Sequence, residues 1–318
     1  MRCAILLLLL ALTACDRPSN GSASPLNEVR VAYFANVTHA QAVLGVASGD
    51  FEKAVGPAKL TTKVFNAGPA LIEALFAEEI DIGYVGPGPA ISAFVRSKGQ
   101  GIRVISGAAA NGVLIVARKD AGISSVRDLA GKRIATPQHG NTQDISARHY
   151  LQHELGQKDS NNVIAVANAE QAGMMARGDI DAAWTPEPWG SRLIAENGAR
   201  LVAEEKDLWP TKRFALTVVV TTPEFLARHP DVVKKILDVH GKWTALLQQD
   251  ASTHVDALEQ ALLALSGKKL PAGVVRDSIG HVEFTLDPLP ETFATMAQWS
   301  HDLGFSREAV KLDGLFAR

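Results

Sequence analysis

Four short segments containing polar residues or glycine follow predicted strands at points where a helix begins. Thr38, Gly68, Gly88 and Asn141 stand in these segments. The first N–H groups of a helix lack partners within the helix, and the helix dipole makes this end positive, so such junctions attract anions. Glycine lets a ligand approach the backbone, and Asn and Thr add neutral donors. A plain N-cap or turn explains any single junction equally well, but together the four predict a site for a small anion.

Other kinds of site fit the sequence less well. Residues 86–91 begin like a dinucleotide-binding GxGxxG loop, but Ile91 stands at the last glycine position and the prolines remove N–H donors. His149 and His153 lie four residues apart on a predicted helix, yet no third metal ligand is evident. The sequence contains no HExxH, GxSxG or Walker motif. We therefore expect a binding protein that uses no metal or cofactor and catalyses no reaction.

Strand and helix patterns alternate along the chain. The predicted strands are Val29–Tyr33, Thr61–Phe65, Ile80–Val85, Arg103–Ser106, Gly112–Arg118, Lys132–Thr136, Asn162–Val166, Ile180–Trp184 and Phe214–Thr221. The predicted helices are Ala40–Val55, Pro69–Glu79, Thr142–Leu155, Glu170–Arg177 and almost everything after Pro223. This alternation predicts an α/β fold with parallel sheets flanked by helices and a helical C-terminal tail.

An internal similarity suggests two lobes. Residues 80–89 read IDIGYVGPGP and residues 180–189 read IDAAWTPEPW, which indicates one supersecondary unit per lobe, with coincidence as the alternative. We predict lobe 1 from residues 28–109 and 217–318 and lobe 2 from residues 110–216. The Ala- and Gly-rich run 106–112 is expected to bend as a hinge, with the return crossing at 216–218. Two α/β lobes facing each other would enclose a ligand beyond the carboxyl ends of their strands.

The N-terminus has the pattern of an export signal. A positive tip (Met1, Arg2) precedes an apolar run, 3–12, and then Thr13, Ala14 and Cys15. The run is shorter than the roughly 20 residues of a membrane-spanning helix. Residues 12–15 resemble a bacterial lipobox, so we expect a signal peptide over 1–14, lipidation of Cys15 and a polar tether over 15–27. An ordinary signal peptide with a chance cysteine is the alternative.

Composition excludes several classes of protein. Cys3 and Cys15 are the only cysteines, so the predicted mature fold has no disulfide and no thiol nucleophile. About 300 residues remain after residues 1–14 are removed, enough for two lobes. The formal net charge of −2 lacks the basic excess of a nucleic-acid-binding protein.

Three longer segments carry a family resemblance: residues 68–89 (GPALIEALFAEEIDIGYVGPGP), 125–144 (SVRDLAGKRIATPQHGNTQD) and 179–189 (DIDAAWTPEPW). They resemble the nitrate/sulfonate/taurine class of ABC importer substrate-binding proteins, here in lipoprotein form. The resemblance covers nearly the whole predicted mature chain. It implies a type II-like periplasmic-binding-protein clamshell that acts as a monomer and delivers its ligand to a membrane permease driven by a cytoplasmic ATPase.

The resemblance also carries the family's cleft positions onto this chain. They lie in loops after strands and are Asn36, Thr38, His39, Gly68, Gly86, Gly88, Asn111, Gly140, Asn141, Thr142, Trp184 and Glu187. Trp184 and Trp189 are candidates for an apolar wall, with core packing as the alternative. Glu187 would repel an anion, so a cleft position would place it at the far end of the ligand, near an ammonium group. That arrangement favours taurine over nitrate, and a helix cap facing solvent is the alternative for Glu187.

The sequence therefore predicts an extracytoplasmic solute-binding protein that captures a small anionic or zwitterionic solute, with aliphatic sulfonates or taurine-like molecules favoured. We expect it on the periplasmic side of a bacterial inner membrane, or at the cell surface of a Gram-positive source. One alternative is a pyrimidine-precursor binder or enzyme of the same fold. A ligand-sensing lobe for a membrane partner is the other.

Overall fold

The structure, a computed structural model, describes residues 26–307 and 309–317 and contains two mixed β-sheets. The predicted signal peptide and Cys15 lie outside the described residues. The first sheet has the order β11-β4-β10-β3-β1-β2, with β1 Glu28–Phe34, β2 Lys59–Phe65, β3 Ile82–Val85, β4 Arg103–Asn111, β10 Ala215–Thr221 and β11 Val282–Phe284. The second has the order β7-β6-β8-β5-β9, with β5 Val113–Ala117, β6 Ile134–Thr136, β7 Val163–Ala165, β8 Ala182–Pro186 and β9 Arg200–Glu204.

Helices flank both sheets. In the N-terminal part they are α1 Ala40–Ala47, α2 Asp50–Val55, α3 Gly68–Phe76 and α4 Pro87–Arg96. Those around the second sheet are α5 Thr142–His149, α6 Asn168–Arg177 and α7 Trp189–Asn197. The C-terminal part adds α8 Pro223–Arg228, α9 Pro230–Asp250, α10 Val255–Ser266, α11 Val274–Ile279 and α12 Pro290–Asp302. Short 3₁₀ helices span Val37–His39, Val126–Leu129, Glu205–Leu208 and Ala251–His254, and a π-helix spans Tyr150–Glu154. None of the helices in the described part of the chain is long and apolar enough to cross a membrane.

The α/β class, the two lobes and the helical C-terminal segment are confirmed, but the expectation of parallel sheets is wrong in part. Strands β3, β5, β8 and β10 are buried at every position because helices cover both faces of each sheet. Strand β10 nevertheless runs antiparallel to β3 and β4, and β5 runs antiparallel to β8 and β9. These strands follow the two crossings between the sheets, where the βαβ alternation is interrupted.

Strand pairing locates the two crossings between the sheets. The chain passes from the first sheet to the second at Gly112 and returns between Glu204 and Ala215, since Asn111 and Ala215 still pair within the first sheet. Most of the Ala- and Gly-rich run belongs to strand β4. Gly107 serves close packing there, because an added Cβ would overlap the carbonyl of Asp287. We name each sheet with its helices lobe 1 and lobe 2, in chain order.

Several element boundaries also differ. The helix predicted over 40–55 is two helices, α1 and α2, which separate at Gly49 with its positive φ of 74°. The helix predicted over 142–155 changes from α to π geometry at Tyr150. Strand β11 interrupts the region after Pro223, which was expected to be helical almost throughout.

Candidate functional site

The two lobes touch through polar contacts at the starts of helices. The backbone N–H of Gly88, in the first turn of α4, donates to Oγ1 of Thr142 at the start of α5 (3.2 Å). A Cβ added at Gly86 would overlap the same Oγ1, so this approach requires glycine. On the other side, Nε1–H of Trp189 donates to Oδ1 of Asn36 (2.7 Å). The lobes are therefore in a closed arrangement.

A cavity of about 20 Å³ lies between the lobes at this junction. Both lobes line it, through Phe34, Asn36, Thr38, His39, Asn66, Gly86, Pro137, Asn141, Thr142, Gln143, Asn168, Pro186, Leu216 and Thr217. A water molecule needs about 10–15 Å³ of such space. The closed cleft thus has room for little more than one water molecule, and a larger ligand must widen it.

Three side-chain amides in the lining are oriented by bonds to their oxygen atoms. Oδ1 of Asn36 accepts from the indole of Trp189, which can only donate. Oε1 of Gln143 accepts from Asn141 (2.9 Å). Oδ1 of Asn168 accepts from Gln171 and from Thr185, at 3.2 Å each. The NH₂ groups of Asn36, Gln143 and Asn168 have no partner among the described residues, so all three amides present donors to the cavity.

His39 adds a fourth neutral donor. Its Nδ1 accepts from the backbone N–H of Phe34 (3.3 Å), so the ring proton lies on Nε2. Burial lowers the pKa of His39 to about 3, which keeps the ring neutral. The hydroxyls of Thr38, Thr142 and Thr217 also line the cavity. Because no Asp, Glu, Lys or Arg side chain stands among the lining residues, the cavity can bind an anion through neutral donors.

A buried carboxylate beneath the cavity holds the loop that carries Asn141. Asp144, which is fully buried, accepts from the backbone N–H of Gly140 (2.8 Å) and from Thr136 (3.1 Å). Nε–H of Arg148, one turn further along α5, also donates to it (2.9 Å) and balances its charge. Asp144 therefore positions the first turn of α5 without lining the cavity.

Six of the predicted site residues line the cavity: Asn36, Thr38, His39, Gly86, Asn141 and Thr142. Gly88 borders it through its bond to Thr142. All four junctions proposed from the sequence lie where a helix begins, since Thr38 precedes α1, Gly68 and Gly88 lie in the first turns of α3 and α4, and Asn141 is the N-cap of α5.

Five predicted residues lie elsewhere, and Glu187 is the last of them. Gly68 packs within lobe 1, where an added Cβ would overlap Pro89. Asn111, with φ of 62°, bonds through its N–H and Oδ1 to the backbone of Phe214 and so joins the two crossing segments. Gly140 has φ of 72° and serves the turn that Asp144 holds. Trp184 is buried in lobe 2 and donates to Glu205 (2.6 Å), which is the core packing considered as its alternative.

Glu187 caps a helix, but it is buried and does not face solvent. Its carboxylate accepts from the N–H (3.0 Å) and the hydroxyl (2.6 Å) of Ser191 in the first turn of α7. Nε2 of His281 lies 3.9 Å away, while Nδ1 of the same ring lies 3.2 Å from Glu204. Burial raises the pKa of Glu187. Since Glu187 does not line the cavity, the structure removes the reason for expecting an ammonium group on the ligand.

Sequence reasoning missed several lining residues. Asn168 opens α6 after β7 and Asn66 follows β2, so the strand-to-helix rule applied elsewhere would have found both. Thr217 is a polar residue within the apolar strand β10, which is itself a signal. Gln143 follows Thr142 in the first turn of α5.

Metal-binding geometry is absent from the described residues, where no group of three or more His, Cys, Asp or Glu side chains is placed to hold an ion. His149 and His153 stack on each other with ring centroids 4.6 Å apart. His149 also stacks on Trp299 at 4.2 Å.

Known proteins are similar to this chain in sequence or in structure. A protein of Bacillus subtilis (strain 168), provisionally named an aliphatic sulfonates-binding protein, is 27% identical over 300 residues, covering 92% of this chain and 85% of that protein. The taurine-binding periplasmic protein of Escherichia coli (strain K12) is 29% identical over 216 residues, covering 65% and 62%. The alkanesulfonate-binding protein from Xanthomonas axonopodis pv. citri, solved bound to MOPS, superposes with a TM-score of 0.77 at 22% identity, covering 93% and 100%.

The model of the NMT1-like family matches residues 22–261, which is more than half of the chain and includes every residue that lines the cavity. This chain therefore belongs to the NMT1-like family.

Proposed function

We propose that this chain is the extracytoplasmic solute-binding protein of an ABC importer and that it captures an aliphatic sulfonate between its lobes. The observation that carries the proposal is the orientation of Asn36, Gln143 and Asn168, whose oxygens are engaged and whose NH₂ groups are left to the cavity. A ligand that matches such a lining offers acceptors and negative charge. A sulfonate head offers three acceptor oxygens and one charge.

Hydrogen-bond donors from both lobes would bind the same sulfonate head group. Asn36 and His39 belong to lobe 1, whereas Gln143 and Asn168 belong to lobe 2. A ligand that bonds to both sides stabilises the closed form relative to the open one. The relatives named for aliphatic sulfonates, taurine and alkanesulfonate support this ligand class, and their naming as binding proteins supports capture without catalysis.

The alkyl part of the ligand needs no amine. With Glu187 held by Ser191 and His281, the lining contains no carboxylate that would pair with an ammonium group. Simple alkanesulfonates should therefore bind at least as well as taurine.

Anchoring and delivery complete the proposal. Lipidation of Cys15 would hold the protein at the outer face of the cytoplasmic membrane, where it would act as a monomer and pass its ligand to a permease with a cytoplasmic ATPase. The change Cys15→Ser should abolish acylation and lipoprotein-type processing. Processing and acylation like those of the wild type would rule out this anchor.

Ligand identity is tested by calorimetry with methanesulfonate, ethanesulfonate, taurine and nitrate at constant ionic strength. We expect saturable one-to-one binding of the sulfonates. Asn36→Asp keeps the acceptor for Trp189 but adds a negative charge, and should weaken sulfonate binding at least about 100-fold. Asn161→Asp makes the same change at an exposed site and should have no effect. Absence of sulfonate binding, or equal behaviour of the two variants, would contradict the proposal.

A further inference from the structure

A second cavity, of about 40 Å³, lies in lobe 2 beneath helix α12. Its lining is aromatic and acidic: Ser146, His149, Tyr150, Glu154, Trp184, Glu205, Leu208, Trp209 and Trp299. It shares no residue with the cleft cavity. Its volume is sufficient for about two or three water-sized groups.

The carboxylate of Glu205 lies in this wall and is 1% exposed. Oε2 accepts from the indole N–H of Trp184 (2.6 Å), and Oε1 accepts from that of Trp209 (3.2 Å). No cationic side chain of the described residues pairs with it. Burial raises the pKa of Glu205, and the neighbouring indoles and Ser146 oppose that shift. A buried carboxylate without a countercharge is unfavourable, so a cation bound beside Glu205 would stabilise it.

His149 contributes a second buried polar group to the wall. Its Nδ1 is buried and has no hydrogen-bond partner among the described residues. Burial lowers the pKa of His149 to about 4, so the ring is neutral and one of its nitrogens carries no proton. A donor within the cavity would satisfy this nitrogen and the carboxylate together.

An irregular stretch of helix forms one wall. The π-helix Tyr150–Glu154 directly continues α5, and it supplies two lining residues. Single turns of π-helix are uncommon in proteins and occur frequently at functional sites. This geometry is a separate sign that the wall is shaped for an occupant.

The chemistry of the lining selects among cations. Hard metal cations prefer oxygen ligands, whereas this wall combines a carboxylate and a hydroxyl with an imidazole nitrogen and several aromatic rings. A nitrogen acceptor suits an N–H donor, and aromatic rings attract organic cations. We propose that this cavity is a binding site for a small ammonium cation, either ammonium itself or methylammonium, paired with Glu205. The proposal is independent of what the cleft binds.

Tryptophan fluorescence provides the test, because three of the five tryptophans of the chain line the cavity. Ammonium or methylammonium chloride is exchanged for potassium chloride at constant ionic strength, and both fluorescence and melting temperature are followed. We expect a saturable fluorescence change and a higher melting temperature with the ammonium salts only. Glu205→Gln should abolish both effects, whereas Glu224→Gln, at an exposed carboxylate on α8, should leave them unchanged.

A second variant keeps the test decisive if Glu205→Gln does not fold. His149→Phe retains the ring that stacks on Trp299 but removes the nitrogen acceptor, and it should weaken ammonium binding at least about tenfold. Equal effects of potassium and ammonium, an unchanged response in either variant, or no response in the wild type would overturn the proposal. The cavity would then be occupied by water beside a protonated Glu205.

Discussion

The two segments whose sequences resemble each other form equivalent units, one in each lobe. Unit 1 comprises Asp81, β3 and α4, and unit 2 comprises Asp181, β8 and α7. Asp81 accepts from the backbone N–H of Arg30 (2.7 Å) and from its guanidinium. Asp181 accepts from the backbone N–H (3.0 Å) and the guanidinium of Arg133 in the same way. The resemblance of residues 80–89 to 180–189 is therefore reflected in a shared architecture.

The units differ in the turn between strand and helix. In unit 1, Gly86 and Gly88 let Thr142 of the other lobe approach the backbone. In unit 2, Glu187 closes the turn onto Ser191 of its own helix, and Trp189 donates a hydrogen bond to Asn36 of the other lobe. One scaffold can therefore present either its backbone or a side chain to the cleft, depending on a few turn residues.

The buried aromatic residue at the same place in each unit should give the largest difference. Trp184→Phe deprives the buried Glu205 carboxylate of a charge-assisted bond and leaves a void, so it should lower the free energy of unfolding by about 3 kcal/mol. Tyr84→Phe removes a neutral bond to Nδ1 of His240 (3.1 Å) and should cost about 1 kcal/mol. Urea unfolding measures both. Equal losses would show that the two aromatic residues play the same role.

Alanine in place of one glycine in each unit should change ligand affinity in unit 1 and stability in unit 2. A Cβ at Gly88 would lie 3.1 Å from the backbone N of Thr142, so Gly88→Ala should weaken sulfonate binding at least about tenfold while stability is kept. Gly190 of α7 packs within its own lobe, and an added Cβ would lie 2.7 Å from Cβ of Leu114. Gly190→Ala should lower the melting temperature and leave affinity unchanged. Calorimetry and thermal melting check the pair, and the reverse pattern would refute this reading of the turns.

Replacement of Asp81 or of Asp181 by asparagine should lower the free energy of unfolding by a similar amount. Asp81→Asn and Asp181→Asn each weaken the bonds to a partly exposed arginine and should each cost about 1 kcal/mol near pH 7. The guanidinium of Arg133 holds the pKa of Asp181 well below its usual range. Its stabilisation is therefore complete above the unfolded pKa of about 4 and is lost as the pH falls through the lower folded value. Asp181→Asn should remove this part of the acid dependence in urea titrations at pH 2–7, and an unchanged dependence would contradict the assignment.

The smallest effect concerns ligand choice. Glu187→Gln should leave the ratio of affinities for taurine and ethanesulfonate unchanged within about twofold, since Glu187 lies outside the cavity lining. Calorimetry with both ligands measures this ratio. A selective loss of taurine binding would restore the role in the cleft that the sequence suggested for Glu187.

Local patterns predicted much of this molecule. The buried strands, the helix starts at Thr38, Gly68, Gly88 and Asn141, and the repeated unit all follow from residue order alone. Short edge strands such as β9 and β11 did not, because they are partly exposed and lack a distinct pattern. The sequence also could not predict that β10 inserts antiparallel between β3 and β4, since these partners lie more than 100 residues away in sequence.

Within the site, the sequence could not predict the direction in which side chains point. Both faces of β8 are buried, so alternation could not decide whether Trp184 faces the cleft or the core. Likewise, the donors offered by Asn36 and Asn168 depend on distant partners that take their oxygens. The bond to Asn36 forms only when the two lobes meet, and the bond from Thr185 to Asn168 forms only when lobe 2 has folded.

Small-angle X-ray scattering can show whether the two lobes close around an anionic ligand. The bond from Gly88 to Thr142 and the bond from Trp189 to Asn36 define the closed form. The radius of gyration should fall when saturating ethanesulfonate is added and should approach the value calculated from the described residues of this structure. If the radius of gyration does not change in a sample in which calorimetry has established binding, the lobes do not close around the ligand.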